Sequence, residues 1–516
     1  MQVVVCYPAY AVGQNHDGLA ATVRNFAAQS HPATVEVVAS DAAVRAEVEK
    51  ALAGGKVTFI NEAPGGFAKL LNGVVKRHEN CAAVLLAERI ELLEGFPKAV
   101  AAGFAASDEA GCLFGSYLKA RPDGSGDDYV RVYPLPRPQH ERNELGFVQA
   151  YRGSLVKALG GAREELQFVP DYDLQLRIVE RHVFRNIAEA QYRVLPTPAA
   201  ADAAGDKPAE NRLHAPGKGK YGGFSYLFYP EPMEKELNGA FEDYLRRMGA
   251  HLDSQRNPTV PVPYPTGVKY EVLASVVIPV FNREKYIGNA IDSVLGGTFT
   301  NFEVVVVDNG STDNSAGVVA EISKKDARVR LIQQRGPSIA SALNRGIREA
   351  RGKYICQLDS DDVYVPTTLE KMIGHLESHP KCGLAISYYG LMDPDGVPLP
   401  ELGLIMHTGY GRNVILRRDG AGALRVFPKV VLEEFGYYDE ENFGNFGEDY
   451  DMVLKTGEKY DVDRVHEELY RYRRHPDNTD VTRDPGMKIR NKNQARLNAI
   501  ARRQELNRRR GTPGGV

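Results

Sequence analysis

Two long stretches of this chain carry the same series of segments in the same order. VVVCYPAY (Val3–Tyr10) parallels SVVIPVF (Ser275–Phe281), and VEVVASD (Val35–Asp41) parallels FEVVVVD (Phe302–Asp308). KVTFINEAPGGFAKLLNGV (Lys56–Val74) parallels RVRLIQQRGPSIASALNRG (Arg328–Gly346), which sets Asn72 against Asn344. FVPDYDLQLRI (Phe168–Ile178) parallels FGEDYDMVLKT (Phe446–Thr456). Four matches in one order predict a tandem duplication. Within each copy, short β-branched runs alternate with helical patterns, the signature of βαβ units. The predicted fold class is α/β: two tandem Rossmann-like domains, each built on a mostly parallel sheet.

The copies occupy residues 1–195 and 271–484, leaving 196–270 as a connection. Pro196–Gly223 is rich in Pro, Ala and Gly and reads as a linker. A helical patch from about Glu234 to His251 is expected to brace the domains, and PTVPVPYP (Pro258–Pro265) to be a stiff extended connector. Residues 485–516 form a tail with nine Lys/Arg and one Glu. Ile489, Leu497, Ile500 and Leu506 lie among its arginines, so it is either a solvated terminal helix or a peripheral contact with an anionic membrane surface. Lys+Arg of 64 against Asp+Glu of 67 argues against a surface built for nucleic acid. The five cysteines never take CxxC spacing, which fits a reducing compartment. No run approaches the ~18 apolar residues of a membrane span, and MQVVVCYPAY lacks the basic start of a signal peptide. The expected setting is the cytoplasm, free or at the inner face of the membrane.

The chemistry concentrates in the second copy. KYICQLD (Lys353–Asp359) is its fourth strand, and LDSDD (Leu358–Asp362) crowds carboxylates onto the turn after it. Such a cluster needs a cation or hydrogen-bond donors to offset its repulsion. Oxygen ligands suit Mg2+ or Mn2+, with phosphate oxygens completing the shell. A solvated acidic turn capping a helix is the plainer alternative. Open α/β sheets bind ligands at the carboxyl ends of their strands, however, and this turn lies there. GEDYD (Gly447–Asp451) opens a later helix. Its carboxylates either complement the helix dipole or include a base that deprotonates a hydroxyl nucleophile. LYRYRRHPDN (Leu469–Asn478) adds cations and His475, a candidate metal or diphosphate contact.

From about Val272 to Asp480 these residues resemble family 2 glycosyltransferases of the GT-A fold. The resemblance rests on VVIPVFNREKYI, VVVVDNGSTD, GPSIASALNRGI, ARGKYICQLDSDDVYVP, GEDYDMVLK and LYRYRRHPDN, in the family's order and spacing. It implies that Pro279, Phe281 and Asp308 line the nucleobase and ribose pocket of a nucleotide sugar. Asn309 stands where the family often has a second aspartate that contacts the base. Asn344 follows Leu343 where the family commonly has Arg-Asn on the donor side. Asp359, Ser360 and Asp361 would form the DxD turn against the donor, with Asp361 as direct ligand of Mn2+ or Mg2+, Asp359 beside it and His475 near metal and diphosphate. Asp449 would be the general base, with Glu448 next to it. The implied reaction is inverting, metal-dependent transfer of a hexose from a nucleotide sugar, UDP-sugar favoured, to a hydroxyl on a glycan, a lipid-linked or another acceptor. Polysaccharide or glycoconjugate synthesis is the setting the family suggests.

The first copy lacks this turn. In register, Ala87, Glu88, Arg89 and Ile90 replace Asp359, Ser360, Asp361 and Asp362, and an arginine at the metal position repels a cation. PDYD keeps Asp171 and Asp173 opposite Asp449 and Asp451. The expectation is a degenerate domain; acceptor binding or a second, metal-independent transferase site are the alternatives. A nucleotidyltransferase would carry a glycine-rich loop after its first strand, where this chain has VFNREKYI. A non-catalytic sugar- or nucleotide-binding protein is the non-enzyme alternative. Acceptor contacts are expected from Pro394–Ala423.

Overall fold

The computed structural model describes residues 1–27, 31, 33–132, 145–196, 211–215, 224–336, 338–406 and 410–510. These fall into two compact units, one of Met1–Asn211 with Tyr229–Tyr244, the other of Arg212–Phe228 with the chain from Leu245 onward.

The first unit is built on β1 (Gln2–Pro8), β2 (Ala33–Val38), β3 (Thr58–Ile60), β4 (Cys81–Leu85), β5 (Ile90–Leu92), β6 (Ala110–Ala120), β7 (Asp127–Val130), β8 (Gln149–Arg152) and β9 (Val183–Val194). They pair in the order β3-β2-β1-β4-β8-β6-β9-β5, with β7 hairpinned onto β6. A separate two-stranded ribbon joins β10 (Asn211–Ala215) and β11 (Phe224–Phe228). The second unit uses β12 (Val272–Val280), β13 (Phe302–Asp308), β14 (Val329–Gln333), β15 (Gly352–Gln357), β16 (Val363–Tyr364), β17 (Cys382–Met392), β18 (Arg425–Pro428) and β19 (Asp461–Arg473). Their order is β14-β13-β12-β15-β18-β17-β19-β16.

The two orders superimpose strand for strand. In both, the first four strands are parallel, β8 or β18 runs against its neighbours, and the last pair is antiparallel. The predicted tandem of mostly parallel α/β sheets is therefore what the chain forms. The central strands are short β-branched runs because both of their faces are covered. Val3, Val5 and Tyr7 enter one core while Val4 and Cys6 enter the other, the alternation that a pleated strand imposes.

One alignment shifts by two residues. Leu86 N–H donates to the Cys6 carbonyl as Leu358 N–H donates to that of Val277, which levels Cys6 with Val277. Val35 pairs with Val5 and Val304 with Val276, so Asp308 lies level with Ala39 rather than Asp41. Asp41 instead caps the Ala42–Leu52 helix, its Oδ1 accepting from Ala43 and Val44 N–H.

The stretch read as a connection is divided. Residues 197–210 and 216–223 lie outside the described residues. In the first unit, Glu236 of the Glu231–Arg247 helix accepts from the N–H groups of Gln167, Phe168 and Val169, just ahead of the Pro170–Val179 helix. In the second, the Pro258–Pro265 segment forms neither helix nor strand, and its Val262 is buried with Val431 and Tyr460. The basic C-terminus is a helix, Pro485–Arg509, that buries Ala495, Arg496, Ala499, Ile500 and Arg503. That embedded face distinguishes it from a solvated tail. No helix among the described residues is long and apolar enough to cross a membrane.

Candidate active site

The acidic turn follows β15 directly. Leu358 N–H bonds to Val277 O on the neighbouring strand, and Asp362 N–H closes the turn on Asp359 O at 3.2 Å. Asp362 is its anchor: Oδ1 accepts from Arg473 N–H and Oδ2 from the Tyr470 hydroxyl, both at 2.7 Å. Burial, then Asp361 and Asp359, push the Asp362 carboxyl well above the ordinary range. Ser360 is buried within the turn.

Asp361 points the other way, toward His475 and Arg283. Its Oδ2 lies 3.0 Å from His475 Nε2 and 2.9 Å from Arg283 Nε. Burial alone would raise this carboxyl, but the bonds from His475 and Arg283 outweigh it and hold it below the usual value. His475 is 1% exposed and stacks on Tyr286 with ring centroids 5.1 Å apart. Asp359 stands at the solvent side of the turn. Burial of its remaining sides, with Asp361 and Asp449 adding like charge, pushes its carboxyl up to about 6.

These residues fit a divalent cation in one respect and depart from the sequence expectation in another. Two ligands in adjacent positions of an ion with ~2.1 Å bonds stand about 3 Å apart, the spacing found between Asp361 Oδ2 and His475 Nε2. Asp359 does not close a three-donor cluster with them; the three-donor cluster among the described residues lies elsewhere.

The GEDYD helix spans Glu448–Lys459, and its entry depends on a left-handed residue, Gly447 at φ +96°. Glu448 is buried, with Oε2 lacking a hydrogen-bond partner; burial and the adjacent Asp449 raise its carboxyl well above the ordinary value. Asp449 is 32% exposed and pairs through Oδ2 with Arg425 Nη2 at 2.7 Å. Burial would weaken the Arg425 cation, but Asp449 and Asp419 raise its pKa instead. Asp451 is structural, gripped by Lys455 and Arg502.

The remaining predicted donor residues divide. Pro279 is half-buried at the end of β12, Phe281 is 55% exposed just beyond it, and Asp308 ends β13 with Oδ1 accepting from Ser311 N–H. Asn309 is committed to its own chain: Oδ1 accepts from Gly336 N–H and Gln334 Nε2, and Nδ2 donates to Ser338 O. Asn344 is buried, and its amide bonds Tyr438 N–H, Tyr438 O and Glu440 Oε1. Its expected contact with the donor is replaced by a role in holding the loop ahead of GEDYD.

Arg283 and Arg425 escaped sequence reasoning. Arg283 lies inside the quoted FNREKYI segment, and a cation three residues beyond a strand end was the available signal. Arg425 opens the short strand RVFP without a motif of its own. Among its described residues the first unit keeps Asp171 opposite Asp449 but lacks the acidic turn and the counterpart of Arg425. Ile90 N–H closes on Ala87 O as Asp362 closes on Asp359, so Ala87 and Arg89 occupy the places of Asp359 and Asp361. Tyr151 pairs with Ala83 as Phe427 pairs with Ile355, which puts Gln149 at the place of Arg425.

Residues 275–431 match the family model described as glycosyl transferase family 2. Chondroitin synthase of Escherichia coli is 30% identical over 233 residues, 44% of this chain and 33% of that protein. Glycosyltransferase GlyG of Streptococcus pneumoniae serotype 4 is 34% identical over 125 residues, 24% of this chain and 42% of that protein. The chain thus spans less than half the length of either relative. Among solved structures, S. aureus TarS 1–349 in complex with UDP-GlcNAc aligns at 19% identity and TM-score 0.34, covering 41% of this chain and 61% of that one. The mannosyltransferase PcManGT from Pyrobaculum calidifontis, in complex with GDP-Man and Mn2+, aligns at 18% identity and TM-score 0.33, covering 54% and 84%. Through the segment 275–431, this chain is thus similar to glycosyl transferase family 2.

Proposed function

We propose that the second unit is an inverting glycosyltransferase that moves a sugar from a nucleotide donor, a UDP-sugar first among them, to an acceptor hydroxyl. The observation that carries this reading is the pairing of two side-chain couples, Asp361 with His475 and Asp449 with Arg425, around one turn at the carboxyl ends of parallel strands. Asp361 and His475 would hold Mn2+ or Mg2+, which supplies neutralisation of charge on the departing nucleoside diphosphate. Pro279, Phe281 and Asp308 would receive the nucleoside.

Asp449 rather than Glu448 is the base. Glu448 is buried with its carboxyl pushed well above the ordinary range, whereas Asp449 is reached from solvent and is oriented by Arg425. The acceptor hydroxyl gives its proton to Asp449, its oxygen bonds the anomeric carbon, and the carbon–phosphate oxygen bond breaks on the opposite face, inverting configuration. The likeness to a chondroitin synthase supports a glycan or glycoconjugate acceptor. The first unit, with Ala87, Arg89 and Gln149 in the corresponding places, is proposed as a non-catalytic copy. A cytoplasmic location, with or without peripheral membrane contact, accords with this chemistry.

A binding screen of UDP-, GDP- and dTDP-sugars with and without Mn2+, on wild type and Asp361→Ala, tests the reading. Metal-dependent binding of one donor, lost in the variant, supports it. Metal-independent binding that survives the substitution overturns the site.

A further inference from the structure

The Thr368–Ser378 helix ends in a pair of histidines four residues apart, His375 and His379, which share one face. Their rings stack with centroids 4.0 Å apart and planes 14° from parallel. Asp463, near the start of β19, places Oδ2 at 3.1 Å from His375 Nε2. One donor atom from each of the three lies within 4.8 Å of the others. The tautomer of His379 is set by its surroundings. Nδ1 lies 2.8 Å from the His375 carbonyl, which can only accept, and 3.1 Å from Ser378 Oγ, so in the neutral ring Nδ1 carries the proton and Nε2 is left to ligate. Ring N–H donation to a backbone carbonyl is the outer-shell arrangement that orients metal-binding histidines.

We infer that His375, His379 and Asp463 form a second cation site, one that takes a borderline divalent ion of the Zn2+ class. Two imidazoles and a single carboxylate favour Zn2+ over Mg2+ or Ca2+, which prefer all-oxygen shells. Two ligands of a tetrahedral ion with ~2.0–2.1 Å bonds stand about 3.3 Å apart, close to the His375–Asp463 spacing. A cation between those atoms replaces the proton they share. The helix also ends here, so its carbonyl dipoles favour positive charge.

This site is distinct from the Asp361–His475 pair. β15 and β17 both run antiparallel to β18, and therefore parallel to each other. Asp361 follows the carboxyl end of β15, whereas His379 and Cys382 stand at the amino end of β17. The two sites occupy opposite edges of one sheet. A bound ion would fasten the end of the helix to β19 and act on stability rather than on sugar transfer.

The test is Zn2+ titration of the full chain by chelator competition, with thermal melting in parallel, on wild type, Asp361→Ala, His379→Ala and Asp463→Asn. Wild type and Asp361→Ala are expected to bind a single Zn2+ at micromolar metal and to melt at higher temperature with it. His379→Ala and Asp463→Asn should each weaken binding at least about tenfold, the scale lost even when an outer-shell partner is removed. His379 is exposed, so its truncation leaves the fold intact. Unchanged Zn2+ affinity in both ligand variants, no binding at micromolar Zn2+, or loss of binding only in Asp361→Ala would each overturn the inference.

Discussion

Asn344 holds Tyr438 and Glu440 with the same three hydrogen bonds by which Asn72 holds Ala162 and Glu164. In each copy the amide oxygen accepts one backbone N–H, and the amide nitrogen donates to that same residue's carbonyl and to a glutamate two residues on. The arrangement persists in the unit that has lost its acidic turn, so it belongs to the fold and not to donor binding. Asn72→Ala and Asn344→Ala should each cost about 2–4 kcal/mol, since three bonds go and backbone groups are left unpaired. Urea denaturation read unit by unit would measure this. Asn72→Ala should leave nucleotide-sugar affinity unchanged.

Asp449 and Glu448 are neighbours in opposite environments, and the difference predicts their kinetics. Asp449→Asn should lower transfer by about 10²–10⁴-fold with donor affinity retained, the range expected for loss of a general base. Glu448→Gln keeps a neutral group in a buried place and should lose far less. Equal losses in the two variants, measured as kcat at saturating donor, would remove the assignment of the base.

Arg425 orients Asp449 through one ion pair, so its substitution should act on turnover more than on donor binding. Arg425→Met is expected to lower kcat at least about tenfold. Arg425→Lys, retaining the charge without the planar fork, should recover part of that loss. A rise in donor KM with kcat unchanged would place Arg425 against the donor instead.

Asp359 makes a pH-dependent prediction. Its folded carboxyl holds a proton up to about pH 6, against about 3.9 in the unfolded chain. Between those values the folded state binds more protons, so this residue's contribution to stability falls as pH rises from about 4 to about 6. Asp359→Asn removes that penalty. The variant should therefore match wild type near pH 4 and become progressively the more stable protein up to pH 7, as followed by urea melts at a series of pH values.

Much of this was written in the residue order. Short β-branched runs specify strands covered on both faces, and the repeat of four segments predicts two sheets whose strand orders coincide. The acidic turn was legible because several carboxylates directly after a buried strand have few structural uses. What pairs with them was not. Arg283 meets Asp361 across 78 residues, and no periodicity encodes which cation a fold will bring to a carboxylate so far along the chain. String matching also misaligned Asp41 with Asp308, because a helix cap and a strand end both favour aspartate for different reasons. The C-terminal helix was obscured by its charge: arginines mark a solvated face unless partners for them are known.

Those partners make the final prediction. Arg502 grips Glu458 through two bonds, 2.8 and 2.9 Å, and reaches Asp451 at 3.4 Å. Arg503 is fully buried and donates to the Arg412 carbonyl at 2.7 Å. Glu458 is itself buried, and burial raises its carboxyl even with both arginines opposing. Removing Arg502 leaves that carboxylate short of its main counter-charge, a loss on the order of 2–3 kcal/mol for a partly desolvated pair. Arg508→Glu, on the exposed end of the same helix, should stay within about 0.5 kcal/mol. If Arg502→Ala and Arg508→Glu prove equally mild in urea denaturation, the helix is an appendage. If the first is costly and the second is not, the basic C-terminus is part of the second unit's core.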